Sequence, residues 1–142
     1  MFWALLLILV ATGLERLTRR PFLATRFGAL FALALGGERL GAHLYRVPDV
    51  PAVGFRAAAQ TWGETVLVTE HALNRASTTR LLAHEACHVR QYRRLTSFGF
   101  WLLYVVQWVR GLVGTRNAFQ AYLDIPLERE ARADEPLNGD GL

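Results

Sequence analysis

The stretch His84-Glu85-Ala86-Cys87-His88 constrains this chain more than any other, because its spacing has a use only on a helix. At 3.6 residues per turn, positions four apart share one face, so His84 and His88 can bind one metal ion from the same side. Glu85 sits about 100° further round, where it reaches a water on that metal without being a ligand itself. The pattern therefore predicts a site in which zinc lowers the pKa of water and polarises a carbonyl, while the carboxylate takes the proton. The bland alternative is a helix with two satisfied core histidines and one surface glutamate.

The flanking residues favour the metal. Ser77-Thr78-Thr79 offers hydroxyl caps, and from there through Arg94 the chain has no Gly or Pro, which predicts one helix over about 77–95. Leu81, Leu82, Cys87, Val89 and Leu95 supply its buried side, with Arg80, Arg90, Arg93 and Arg94 towards solvent. A catalytic zinc site needs a third protein ligand and an open fourth position. His43 and His71 lie upstream and no histidine follows His88, so the better candidates are carboxylates in Ile125-Pro126-Leu127-Glu128-Arg129-Glu130-Ala131-Arg132-Ala133-Asp134-Glu135. Pro126 suits a first helical turn, acidic residues favour that end, and Ala131 and Ala133 permit close helix packing. Glu128 and Glu130 lie about 200° apart round a helix, so only one of them faces the metal.

These two segments together resemble the gluzincin clan of zinc metallopeptidases, which pairs a His-Glu-x-x-His helix with a downstream helix carrying a glutamate ligand. The resemblance covers roughly residues 50–135. In that clan a small residue often stands three positions after the glutamate, followed by Asp or Asn. Glu128 with Ala131 reproduces the first feature but has Arg132 in place of the acid, whereas Glu130 with Ala133 and Asp134 matches both. The run Pro-Leu-Glu-Arg-Glu-Ala looks like that of small bacterial members, and on that likeness Glu128 is the third ligand, with Glu130 as the alternative. The resemblance implies an α+β fold: a minimal zincin-like domain of a small sheet or hairpin, the metal helix and a third-ligand helix. It also implies Zn2+ as cofactor, a peptide or protein as substrate, and Glu85 as catalytic base. The rival function is a non-catalytic zinc-binding interaction or sensor module of the same fold.

Length and pattern set the organisation: a hydrophobic helical region at 1–47, a metallopeptidase-like domain at 48–135, and a flexible tail at 136–142. Pro48 and Pro51 mark a break, Val53-Gly54-Phe55 opens a run ending at Trp62-Gly63, and Thr65 to Thr69 is β-branched, so a hairpin is expected about Gln60 to Glu64. Glu70 and His71 would follow its second strand and help line the site. Phe98 to Val113 reads as a buried or interfacial helix with Trp101 and Trp108 on one face. Tyr92 and Tyr122 are candidate oxyanion donors, and Gln91 approaches the cleft or packs beneath it.

Towards the N-terminus, Phe2 to Leu14 is apolar except for Thr12, yet thirteen helical residues reach only about 20 Å of a roughly 30 Å hydrocarbon layer. A second apolar stretch, Phe27 to Gly37, follows after Arg19, Arg20 and Arg26. The two either pack as extra core or give residues 2–37 a membrane association, and Arg16, Arg19 and Arg20 would then leave the remainder in the cytoplasm. A membrane-associated chain facing the cytoplasm, or a cytoplasmic one, is the expectation. The net charge is +4 and all sixteen Lys+Arg are arginine, but they are scattered without stacking aromatics or a reading helix, so no nucleic-acid partner is expected. The single cysteine, Cys87, excludes an intrachain disulfide and reads as a small buried hydrophobe.

Overall fold

The computed structural model describes residues 2–52 and 55–136, and the tail expected at 136–142 lies outside these from residue 137. Helices α1 (Phe2–Thr18) and α2 (Phe22–Ala34) are followed by strands β1 (Glu38–Arg39), β2 (Leu44–Val47), β3 (Val50–Ala52), β4 (Phe55–Ala57), β5 (Ala59–Trp62) and β6 (Thr65–Thr69). Helices α3 (Glu70–Leu73), α4 (Thr78–Leu95), α5 (Ser97–Thr115), α6 (Ala118–Leu123) and α7 (Pro126–Ala133) complete the described chain. The class is α+β, with a small mixed sheet.

The β5–β6 hairpin has Trp62 opposite Thr65, leaving a two-residue loop. Its first residue, Gly63, sits at φ +65°, which such loops demand, and an added Cβ would come within 2.5 Å of the Thr25 amide nitrogen. Beyond this pair the sheet was not foreseen: β2 runs parallel to β6 and β1 antiparallel to β2, in the order β1-β2-β6-β5. β5 is thus an edge strand. Pro51, read as a break, lies in β3, which pairs with β4 as a separate ribbon, while Val53 and Gly54 fall outside the described residues.

Strand alternation sends Ala59, Thr61, Val66 and Val68 to one face of the sheet and Gln60, Trp62, Thr65 and Leu67 to the other. On the first face Ala59 and Val68 pack with Ala72, Leu44 and Leu81, and Thr61 meets α4. On the second, Leu67 packs with Ala32 and Tyr45, Trp62 meets Phe27 and Phe31, and Thr65 donates to the Thr25 carbonyl of α2. Gly28 allows the close seat of α2, since a Cβ there would lie 2.5 Å from that of Trp62. This helix begins earlier than expected and includes Arg26; it ends where Gly37 donates to the Ala32 carbonyl.

The predicted metal helix appears as α4, but its start differs from the capping expected. Ser77 makes no side-chain cap, and the Thr78 hydroxyl instead reaches the carbonyls of Ala72, Leu73 and Arg75. Leu82, assigned to the buried side, is exposed, because that side is given to His84, Glu85, Cys87, His88, Gln91 and Tyr92.

α4 turns into α5 at Thr96, a β-branched residue held at φ +67°, where L side chains are strained. Glu15 holds this corner from the far end of α1. Its buried carboxylate accepts from the Ser97 amide at 2.6 Å, the Ser97 hydroxyl at 2.7 Å and the Leu23 amide at 2.9 Å. The Ser97 hydroxyl in turn accepts from the Ala24 amide at 2.9 Å, so one carboxylate fastens the starts of α2 and α5 to α1. Nothing in the sequence marks Glu15 for this role. Glu15→Ala leaves the buried Ser97 amide and hydroxyl and the part-buried Leu23 amide without their acceptor and is expected to lower stability by about 2–5 kcal/mol, against about 0.5 kcal/mol or less for the exposed neighbour Arg16→Ala. Urea unfolding of the two variants checks this; equal midpoints would remove the corner from the account.

Candidate metal centre

One turn of α4 sets the His84 and His88 rings 4.8 Å apart between centroids, and α7 brings a carboxylate to them. That helix starts with Pro126 at its first position and carries Glu128 in its first turn. Its seat on α4 depends on Ala131, which is fully buried, and on Gln91, whose side-chain amide donates to the Leu127 carbonyl at 2.9 Å. Glu128 is then 3% exposed, with Oε2 3.1 Å from His84 Nε2 and Oε1 3.3 Å from His88 Nε2. The two Nε2 atoms are 3.2 Å apart.

Hydrogen-bond logic fixes what these atoms carry. His88 Nδ1 faces Gln91 Oε1 at 2.8 Å, and His84 Nδ1 faces Glu135 Oε1 at 3.0 Å, both of which can only accept. Each Nδ1 therefore holds the hydrogen, and in the neutral rings each Nε2 points a lone pair at the other and at Glu128. Three such atoms repel one another unless a proton or a cation lies among them. Their separations are also those of a tetrahedral zinc site, where bonds of about 2.0–2.1 Å place neighbouring ligand atoms about 3.3 Å apart. The buried group His84, His88 and Glu128 can hold a metal ion.

Charge is concentrated here. Burial pulls the pKa of His88 down, but hydrogen bonding and attraction to Glu128, with help from Glu85 and Gln91, outweigh it and push it up to about 9. His84 is likewise raised: burial opposes the shift, and the bond to Glu128 prevails. For Glu128, burial acts upward, yet the two imidazoles and the Tyr104 hydroxyl, donating at 2.8 Å, hold it well below the usual carboxylate range. Glu85 goes the other way. Burial raises its pKa more than His88, Thr61 and His84 lower it.

Glu85 points towards the sheet, where its Oε2 accepts from the Thr61 hydroxyl of β5 at 2.6 Å. It lies with the two histidines and Glu128 on a cleft of about 440 Å³, walled by Phe55, Trp62, Trp101, Tyr104, Trp108 and Tyr122. Trp101 and Trp108 are thus cleft residues as well as packing ones, and the Trp101 indole donates to the Tyr92 hydroxyl at 2.9 Å. Tyr92 is buried and stacked on Phe100, so its hydroxyl is engaged, while Tyr122 stands on the cleft wall beside Phe55.

The other candidates lie elsewhere. Glu130 faces Arg94 at 3.0 Å and the Gln91 amide at 3.1 Å, outside the ligand group. Glu70 and His71 do not line the cleft; they begin α3 at the surface, and His71 meets Arg75. His43 is exposed, 3.8 Å from Glu64. Ala133 is exposed, so Ala131 alone supplies the close packing. Cys87 is buried, and desolvation, aided by Asp134, pushes its thiol up to about 11, which leaves it unreactive.

Glu135, Tyr104 and Thr61 were not foreseen as supports of the site. Arg132, standing where an acid was expected, reaches the Leu123 carbonyl, and Glu135, anchored by Arg80 at 2.8 Å, orients His84 instead. Tyr104 had a legible signal, the i, i+3, i+7 stripe it shares with Trp101 and Trp108. Thr61 had only its inward place in the strand alternation.

An α+β chain with a buried His-His-Glu group able to hold a metal is the class that fold and site define. The family model of the eCIS core domain matches residues 49–96, about a third of the chain, a stretch that includes β3 to α4 and so His84, Glu85 and His88 but not Glu128. No curated protein and no solved structure matches the chain.

Because a ligating imidazole must be neutral, zinc binding near pH 7 should expel the proton that His88 holds with its pKa of about 9. Zinc affinity in a competition titration is therefore expected to rise about tenfold per pH unit up to roughly 9, then level off. At fixed pH, Glu135→Ala should weaken zinc by about 10–100-fold, Glu128→Ala by more, and Glu130→Ala least. A flat pH profile, or Glu130→Ala as the most damaging change, would contradict this geometry.

Proposed function

We propose that the chain is a zinc-dependent peptidase with a zincin-like fold, in which His84, His88 and Glu128 hold the metal and Glu85 is the general base. The observation that carries this reading is the place of Glu85, a buried carboxylate beside the ligand group on an apolar cleft, tethered at one oxygen by Thr61. Burying an ionisable group costs several kcal/mol, so a carboxylate serving packing alone is a poor tenant of that position. The donor set supports zinc: two imidazoles and a carboxylate, without thiolate, are typical of hydrolytic sites that keep a fourth position open.

Bound there, zinc supplies Lewis-acid polarisation of a carbonyl and lowers the pKa of water. The protein's own groups do the rest. With Oε2 held by Thr61, Glu85 takes the water's proton at Oε1 and returns it to the leaving amine. Its raised pKa brings it nearer to working pH, which suits an acid–base residue. Gln91 and Glu135 fix the imidazole tautomers, and Tyr104 holds the Glu128 carboxylate. The substrate reading is a peptide in extended form. β5 is an edge strand whose Gln60, Thr61 and Trp62 line the cleft, which suits a chain adding alongside it with an apolar side chain against the aromatic wall.

Glu85→Gln is expected to keep fold and zinc while slowing cleavage of peptides selected from an unbiased library by about 10²–10⁴-fold. Identical processing by wild type and Glu85→Gln, with zinc in both, would favour a non-catalytic zinc-binding interaction or sensor module.

A further inference from the structure

We propose that α1 inserts end-on into one leaflet of a membrane containing anionic phospholipid, with the arginines at its base on the headgroups. From Trp3 to Leu14 the helix has a single polar side chain, Thr12. Leu5, Leu6, Leu7, Ile8, Leu9 and Val10 follow one another, and each is at least 38% exposed. At 100° per residue, six consecutive positions cover the whole circumference, so the helix is apolar and open on every side. A protein groove or a second copy of the helix covers one side of such a cylinder, whereas hydrocarbon covers all of it. A helix lying flat at an interface needs a polar face for the water, and this stretch has none.

Length then selects one leaflet. Twelve residues rise about 18 Å, past the midpoint of a roughly 30 Å hydrocarbon layer but short of its far side. Among the described residues no helix is long and apolar enough to cross a membrane.

Charge supplies the second, independent observation. Arg16, Arg19 and Arg20 stand where the apolar cylinder stops, and they share a surface depression with Arg90, Arg93 and Arg94 of α4. The one acid lining that depression among the described residues is Glu64, which pairs with Arg93 at 2.7 Å; Arg90 and Arg94 pair with Asp134 and Glu130 outside it. Among the described residues Arg16, Arg19 and Arg20 form no ion pair, in contrast to Arg90, Arg93 and Arg94. Apolar surface followed by a basic plate repeats the order of layers in a leaflet, hydrocarbon and then phosphate. The buried Glu15 anchor sets the helix firmly on the domain at that boundary.

Sedimentation of the full chain with sucrose-loaded vesicles tests this, using phosphatidylcholine alone and phosphatidylcholine with about a third phosphatidylglycerol. Wild type is expected to sediment with the mixed vesicles and less with the neutral ones. Leu7→Asp with Leu9→Asp, at two positions each 69% exposed, should keep the wild-type melting curve and lose vesicle affinity by about 10²-fold or more. Replacing Arg16, Arg19 and Arg20 by Gln should weaken binding to mixed vesicles by on the order of 10²-fold and level the two compositions. Both losses should appear equally in a Glu85→Gln background, since the surface is separate from the cleft. Wild type left in the supernatant with both vesicles overturns the proposal. So does a Leu7/Leu9 variant that sediments like wild type, or a soluble dimer that the same variant disperses and vesicles do not.

Discussion

Glu128 is the interaction on which the site depends. It is a carboxylate with almost no exposure, set between two imidazoles and beneath aromatic rings, and a lone charge in such a place is expelled or neutralised. Its compensation comes from both sides: the Nε2 atoms of His84 and His88 across the gap, and the Tyr104 hydroxyl behind it. Because α4 supplies the imidazoles, α5 the hydroxyl and α7 the carboxylate, the three helices meet at one charge centre. The same contacts leave a gap of tetrahedral size, so the demand for a positive partner and the geometry of a metal site are one constraint.

Around that centre lies a set of oriented supports. Gln91 serves two helices at once, accepting from His88 and donating to the α7 backbone, so the tautomer of His88 and the docking of α7 on α4 are coupled. Arg80–Glu135, Arg90–Asp134 and Arg94–Glu130 line up along the outer side of the α4–α7 contact. Exposed pairs of this kind contribute little singly, but Glu135 also holds a ring nitrogen of His84, which gives that pair a role in the site. At the other end of α4, Glu15 fixes the strained Thr96 corner and hence the direction in which α5 carries Tyr104, Trp101 and Trp108 into the cleft.

What could be read from the sequence was local. The spacing of His84, Glu85 and His88, the unbroken helix around them, Pro126 at the start of α7 and the β5–β6 hairpin each depend on residues within one element or two consecutive ones. The separation of about 200° between Glu128 and Glu130 meant that only one of them could face α4, but it could not say which side of α7 meets that helix. That depends on Ala131 and Leu127 being buried and Glu130 meeting Arg94, all relations between elements. Strands β1 and β2 were missed for a similar reason: Glu38-Arg39 is charged and two residues long, and its strand character comes from pairing with Arg46 and Tyr45. Glu15, Glu135 and Thr61 are polar residues whose partners stand 82, 51 and 24 positions away, so no local pattern marks them.

X-ray absorption at the zinc edge tests the central claim most directly, because it reports the atoms around the metal independently of any substrate. The protein loaded with one equivalent of zinc should show only nitrogen and oxygen neighbours at about 2.0–2.2 Å, with the scattering signature of two imidazoles. A sulfur neighbour at about 2.3 Å, which would bring Cys87 into the site, or a spectrum unchanged by Glu128→Ala, would contradict the account.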